Sequence, residues 1–340
     1  MADYASGDLV VAQKFLNQQF AAPEKRFREA TVFKSFVASN RLFELTVDRT
    51  REDRPTEAHY MKSRVRALGT GGRTHNHTGT QGDSDTLTPT WVTRDTTWSE
   101  TIKLADNKVW SAQDIMNNEV LDASISFTEG LEVLATDHLF NNRSQVNTAT
   151  LEGTFDAVNF KFDITEATNG ERKIQIAKSV MANNKYSTAG LVYYCDTIAF
   201  NKFEFDANQG SGNDTNLSFQ YLGVTFIHSI ELDAKATSLS ITKGLWCAVP
   251  FGTFGVADWI PLQNRMGVDF GSQGKYSTMI DPNVNLSFAM HSYFTGVDGS
   301  ATGGYTQDVR IEHEMSIDLA FDNAPLSVAN ESTIQFFALI

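Results

Sequence analysis

Apolar and polar positions alternate most strictly near the C-terminus. In QDVRIEHEMSIDLAF, Val309, Ile311, His313, Met315, Ile317 and Leu319 share one face, and Arg310, Glu312, Glu314, Ser316 and Asp318 the other. That period of two predicts a half-buried strand over 307–320. A different period governs 112–142, where Ile115, Met116, Val120, Phe127, Leu131, Leu134, Leu139 and Phe140 recur close to every 3.6 residues. Ser111 followed by Asp114 resembles a capping box, and Asn141 and Asn142 are stop signals. Such a helix spans ~45 Å and is long beside a mean of about 12 residues. Gly130 is the candidate position for a bend in it. Further strands are predicted at 154–164, 191–205, 217–233, 245–251, 284–290 and 333–340, with a second helix near 171–184. The 34 Thr and 24 Phe favour strand over helix in the body of the chain.

The N-terminal third reads differently. Residues 1–59 form an arm with short ordered pieces. Leu9, Val10, Phe15, Leu16 and Phe20 predict one or two amphipathic turns, and Phe33, Phe36, Val37, Leu42, Phe43 and Leu45 a sparse apolar trail. Too few apolar residues recur there to build a core, so the arm is expected to pack on something else. Residues 60–104 predict a long hairpin. Its rising leg is YMKSRVRAL (60–68) and its falling leg TPTWVTRDTTWSETIKL (88–104). Between them lies a Gly, Thr and Asp tip in which Leu87 is the only strongly apolar residue, so the tip is read as a coreless loop.

Charge sharpens this division. The 340 residues carry a net −13, but residues 1–75 hold 13 Lys and Arg against 9 Asp and Glu, leaving +4 there and −17 in the remainder. A basic arm of this kind suits an acidic surface, either its own or a neighbour's. The acidic whole argues against a general nucleic-acid binder. No run of eighteen apolar residues and no signal-peptide pattern occurs, so synthesis in a reducing cytoplasm is expected and no membrane partner. Cys195 and Cys247 are too few for a disulfide framework.

Candidate chemistry is sparse. His75, Asn76 and His77 spell a contiguous HNH, whereas the nuclease motif of that name is spread over tens of residues. With Asp83 and Asp85 they make at most a weak metal loop. HExxH, GxSxG and the phosphate-cradling GxxxxGK[ST] are absent. His138, on the long helix, and His313, on the apolar face of its strand, read as hydrogen-bonded core histidines. Glu312, Glu314 and Asp318 read as the solvent face of that strand. No catalytic residue, cofactor or metal is expected, and no enzymatic activity.

The order of parts is more specific than any motif: basic arm, long hairpin, very long helix, mixed body, long alternating strand. The stretch TWVTRDTTWSETIKLADNKVWSAQDIMNNEVLDASISFTEGLEVLATDHLFNN (90–142) and the ending IEHEMSIDLAFDNAPLSVANESTIQFFALI (311–340) carry the likeness. Together they resemble the major capsid proteins of tailed bacteriophages, an α+β fold shared with encapsulin shells and herpesvirus capsid floors. The resemblance implies an N-terminal arm (1–59), an extended hairpin loop (60–104) and a peripheral domain (105–165) with its spine helix at 112–142. It further implies an axial domain (166–305) and peripheral closing strands (306–340). It implies a structural subunit of an icosahedral shell around double-stranded DNA, located in the virion and built of pentamers and hexamers of itself. Scaffolding, portal and decoration proteins are further expected partners, and packaged DNA is touched only nonspecifically. Arg64, Arg66, Arg73, Trp91 and Trp98 are the expected inter-subunit contacts, and no crosslink is expected from Lys62. An encapsulin-type compartment and a β-rich adhesin or receptor-binding protein are the alternatives.

Overall fold

The computed structural model describes residues 10–16, 30–39, 54, 57–61, 84–103, 112–143, 151–184, 186, 188–208, 218–269, 274–299, 307–323 and 333–340. Residues 10–16 are helical, and α1 (Thr31–Ser39) follows. Strand β1 (Ala58–Met61) pairs antiparallel with β2 (Ser84–Leu87), and β3 (Trp91–Lys103) precedes the 30-residue α2 (Ala112–Asn141). Next come β4 (Thr154–Asp156), β5 (Lys161–Ile164), α3 (Lys173–Asn183), β6 (Leu191–Cys195) and α4 (Thr197–Asn208). They are followed by β7 (Ser218–Tyr221), β8 (Val224–His228), α5 (Glu231–Ser238) and β9 (Leu245–Pro250). The chain closes with β10 (Phe254–Trp259), α6 (Leu262–Met266), β11 (Lys275–Asp281), β12 (Leu286–Gly299), β13 (Gln307–Asn323) and β14 (Gln335–Leu339). Helices and strands mix as the α+β class requires.

Seven strands form one sheet in the order β4-β5-β14-β9-β6-β8-β7, parallel at β5–β14 and β6–β8 and antiparallel elsewhere. Its central strands are apolar without a break because both faces are covered. Val192, Tyr194, Cys247, Val249, Phe336 and Ala338 share a core with α2. The alternate residues Tyr193, Cys195, Trp246, Ala248 and Phe337 pack with α3 and α4 into a second core. Leu191–Cys195 and Leu245–Pro250 are therefore buried at every position.

A five-stranded sheet is built around β13. One edge of β13 pairs with β3 over thirteen residues, Asp308↔Lys103 to Ala320↔Trp91. The other edge pairs first with β12 and then, past Ser316, with β10, while β11 lies outside β12. Ile311, His313, Met315, Ile317 and Leu319 are buried, as the alternation predicts. Asp318 departs from that pattern. It is buried, accepts Thr93 Oγ1 at 2.6 Å and pairs with Arg54 Nε at 2.8 Å, so this acid is not a solvent-facing residue.

Several expectations change here. Over 91–103 the falling leg pairs with β13, and 84–87, read as loop, is the strand that meets 58–61, while 62–68 of the rising leg lie outside the described residues. Residues 197–205 are helical because Asp196 caps α4, and its Ala199, Phe200 and Phe203 bury at helical spacing. Glu231–Ser238 is likewise a helix where strand was expected. The closing strands divide: β13 belongs to the five-stranded sheet, whereas β14 sits in the middle of the seven-stranded one beside β5 and β9. The domain boundaries at 165, 305 and 306 therefore do not follow the sheets, since 154–164 joins the seven strands and 254–299 the five.

Residues 10–16 and α1, expected to need another surface, pack on their own chain. Ala12, Leu16, Val32, Phe33 and Phe36 are completely buried in the core that α2 shares with both sheets. Phe36 stacks on Phe254 at 4.7 Å and meets Tyr194 and Phe321 edge-on. The long helix follows its predicted bounds within a residue and continues through Gly130, which is exposed and has nothing within 4 Å of a Cβ position. Replacing it removes unfolded-state freedom without a clash. Gly130→Ala is expected to stabilise the folded chain by about 0.5–1 kcal/mol, checked by urea unfolding followed by circular dichroism.

Candidate functional site

One row of α2 residues, spaced by four, runs Met116, Val120, Ser124, Thr128, Glu132, Thr136. All six are buried, so polar side chains continue an apolar row straight into the core. Each of three has a specific partner. Ser124 Oγ donates to Asp281, and Asn283 Nδ2 donates to Thr128 Oγ1 at 2.9 Å, which fixes the β11–β12 turn on the helix. Lys34 Nζ on α1 donates to Asn283 Oδ1 at 2.9 Å, tying the arm to the same turn.

Glu132 is the centre of this seam. Its Oε2 accepts the Val32 and Phe33 amides at 3.1 Å each, and its Oε1 accepts Ser229 Oγ at 2.6 Å. Thr31 Oγ1 lies 3.4 Å from Oε1 and donates to the His228 carbonyl. The first amides of α1 have no intrahelical acceptors and carry the positive end of its dipole, so the carboxylate caps the arm helix from a distance of a hundred residues. Burial raises the Glu132 carboxyl above its ordinary range, opposed by bonds from Ser229, Phe33, Val32 and Thr31.

A second polar cluster lies where β6 and β8 end together. Thr197 Oγ1 donates to Asp233 Oδ2 at 2.6 Å and meets His228 Nε2 at 2.9 Å, while the Thr197 amide donates to Asp233 Oδ1 at 2.7 Å. Asp196 accepts the Ala199 amide at 2.6 Å and the Leu245 amide at 2.9 Å. A hydroxyl, an imidazole and a carboxylate meet here, with the shorter of the two hydroxyl contacts made to the carboxylate. Each acid is spent on a helix start or a neighbouring strand. The arrangement joins elements and activates no nucleophile.

Other candidates resolve in the same direction. Cys195 and Cys247 are buried on opposite faces of the sheet, and burial pushes both thiols up, away from the reactive thiolate. His138 Nε2 meets Asn323 Oδ1 at 2.8 Å, and burial lowers its imidazole. His313 Nδ1 meets Ser292 Oγ at 2.8 Å and is the hydrogen-bonded core residue expected, whereas His138 is hydrogen-bonded but half-buried. Among the described residues no cluster of His, Cys, Asp and Glu could hold a metal, and no helix is long and apolar enough to cross a membrane.

The expected contact residues fare unequally. Arg64, Arg66 and Arg73 lie outside the described residues, as do His75, Asn76, His77 and Asp83. Trp91 is half-buried on β3. Trp98 is buried in the core of its own chain, with its ring stacked on His313 at 5.4 Å. Sequence reasoning missed Glu132, although an acid in register with Ser124 and Thr128 on a buried helical row was the available signal.

No family model matches the sequence, and no curated protein matches it. Solved structures do. One from Mycobacterium phage Che8 is similar with a TM-score of 0.46 and 11% identity, covering 93% of this chain and 94% of that one. The capsid asymmetric unit of cyanophage Pam1 gives 0.46 and 13%, covering 83% and 84%. The capsid structure of cyanophage P-SCSP1u gives 0.46 and 12%, covering 94% and 91%.

Glu132→Ala leaves the Val32 and Phe33 amides and the Ser229 hydroxyl without their acceptor. A loss on the order of 3–5 kcal/mol is expected, checked by urea unfolding, with hydrogen exchange accelerated at Val32 and Phe33. Burial also carries the Asp196 carboxyl from its ordinary 3.8 up to about 6. Within that window the native state binds more protons than the unfolded one, so this group's contribution falls as pH rises. Wild-type stability relative to Asp196→Asn is expected to drop by on the order of 2–3 kcal/mol between about pH 4 and about pH 6, measured as paired urea midpoints.

Proposed function

We propose that the chain is a structural subunit that self-assembles into the icosahedral shell of a tailed phage around double-stranded DNA. The observation that supports this reading is the frame made by β3, α2 and β13. A thirteen-residue hairpin leg, a thirty-residue helix and a seventeen-residue strand brace one another. The buried polar groups along the helix hold the arm, the β11–β12 turn and the α5 start in place. That frame reproduces the order on which the resemblance to tailed-phage major capsid proteins rests. In this reading the five-stranded sheet with α2 is the peripheral domain. The seven-stranded sheet is the axial domain, and it takes in β4, β5 and β14.

The subunit's main partner is then itself, in pentamers and hexamers, with scaffolding, portal and decoration proteins as further partners. It resides in the virion after synthesis in the host cytoplasm, and it catalyses nothing. Its acidic body meets packaged DNA weakly and without sequence preference. Closure of a shell by repeated heterologous contacts gives the hairpin and arm a structural role that one isolated subunit does not require.

Electron microscopy tests this directly. The purified full chain is expected to form closed shells of uniform size. The double variant Arg64→Glu, Arg66→Glu is expected to stay unassembled with wild-type circular dichroism. Monomers or trimers of the wild-type chain would end the shell reading, and normal shells from the variant would end the role of the two arginines.

A further inference from the structure

Strand β11 is the edge of the five-stranded sheet, and its outward peptide groups fall at every second residue. The Tyr276 amide donates to the Val268 carbonyl at 2.9 Å. At Ile280, the Gln13 carboxamide takes both positions, donating to the carbonyl at 2.7 Å and accepting the amide at 3.2 Å. Thr278 lies between them in the same outward phase. Among the described residues nothing meets its N–H or C=O.

A cavity of about 520 Å³ opens at this gap, within the size range of ligand pockets. Its apolar wall comes from Val10, Val268, Tyr276, Met279 and Met290. Lys14 stands exposed at its rim, and the other lysine there, Lys275, has Asp269 at 3.6 Å. The local excess is therefore positive, on a body whose remainder is strongly acidic.

Gln13 shows what this edge accepts: one amide, donor and acceptor together, laid in strand register. An outward peptide group two residues away that has no partner among the described residues, an apolar hollow beside it and an exposed cation at the rim define the chemistry of an occupant. We infer that this groove takes up an extended polypeptide segment of a partner protein as a short added strand at Thr278, with an apolar side chain in the hollow and an acidic one at Lys14. This is strand addition at a sheet edge, in which backbone bonds give affinity and alternate side chains give selectivity. It does not depend on shell formation.

The test uses the purified full chain and a fluorescein-labelled hexapeptide of alternating glutamate and leucine, followed by fluorescence anisotropy. Saturable binding is expected. It should weaken about tenfold or more when lysine replaces glutamate in the peptide, and likewise when the leucine amides are N-methylated. Thr278→Pro removes the outward donor at an edge position where proline is tolerated, and it should have the same effect, as should Lys14→Glu. Unchanged circular dichroism of both variants separates lost binding from lost folding. No saturable binding by the wild-type chain, or equal binding by the N-methylated peptide and by Thr278→Pro, would overturn the inference.

Discussion

A carboxylate buried in a protein core must find donors or give up its charge. Glu132 finds them on two other elements, the first turn of α1 and Ser229 at the head of α5. Much of the architecture depends on that exchange. Without it the arm helix would present free amides to an apolar core, and α2 would carry an unmatched acid midway along its length. With it, one side chain fixes the angular position of the long helix relative to both neighbours. Hydrophobic packing is non-directional, so a smooth apolar row would not set that angle as sharply.

The same logic repeats along the row at lower stakes. Ser124 and Thr128 meet the β11–β12 turn, and Lys34 reaches that turn from α1, so three elements interlock through short polar contacts. Around these contacts the aromatic cluster of Phe36, Phe254, Phe321, Tyr194 and His138 supplies bulk burial. Polar register and apolar bulk act as complements: the first chooses the arrangement and the second stabilises it. Both sheets share one core through α2, which makes the chain a single frame with two faces instead of two independent units.

How much of this was legible in the sequence depended on range. The period-two alternation of 307–320 and the helical period of 112–142 gave β13 and α2 within a few residues, because each rests on local pattern. Local pattern misled at 197–205, where closely spaced phenylalanines imitate a strand until Asp196 caps the helix. Long-range pairing was out of reach. Nothing within 88–104 reveals that its partner lies two hundred residues on, and nothing within 333–340 reveals that β14 joins the other sheet. The capping role of Glu132 was hidden for the same reason, since its partners sit on α1 and beyond β8. The burial of Trp98 was not legible because an aromatic on a Thr-rich strand reads equally well as core or contact.

Charge shows where intrachain contacts end and outward ones begin. Residues 1–59 hold nine Lys and Arg against nine Asp and Glu, and some of those cations find their partners within the chain. Arg54 pairs with the buried Asp318 and lies over the Trp259 ring at 5.8 Å, and Lys34 serves the β11–β12 turn. Asp318 sits on the very strand whose acids looked solvent-facing, so the arm and the acidic body meet within one subunit. The +4 of the first 75 residues is carried by Lys62, Arg64, Arg66 and Arg73, since 60–75 contains no acid. Those four residues lie outside the described residues, whereas Arg54 and Lys34 hold the arm to its own frame. Exposed ion pairs contribute little singly, so the Arg54 pair matters because its partner Asp318 is buried and would otherwise lack a counter-charge.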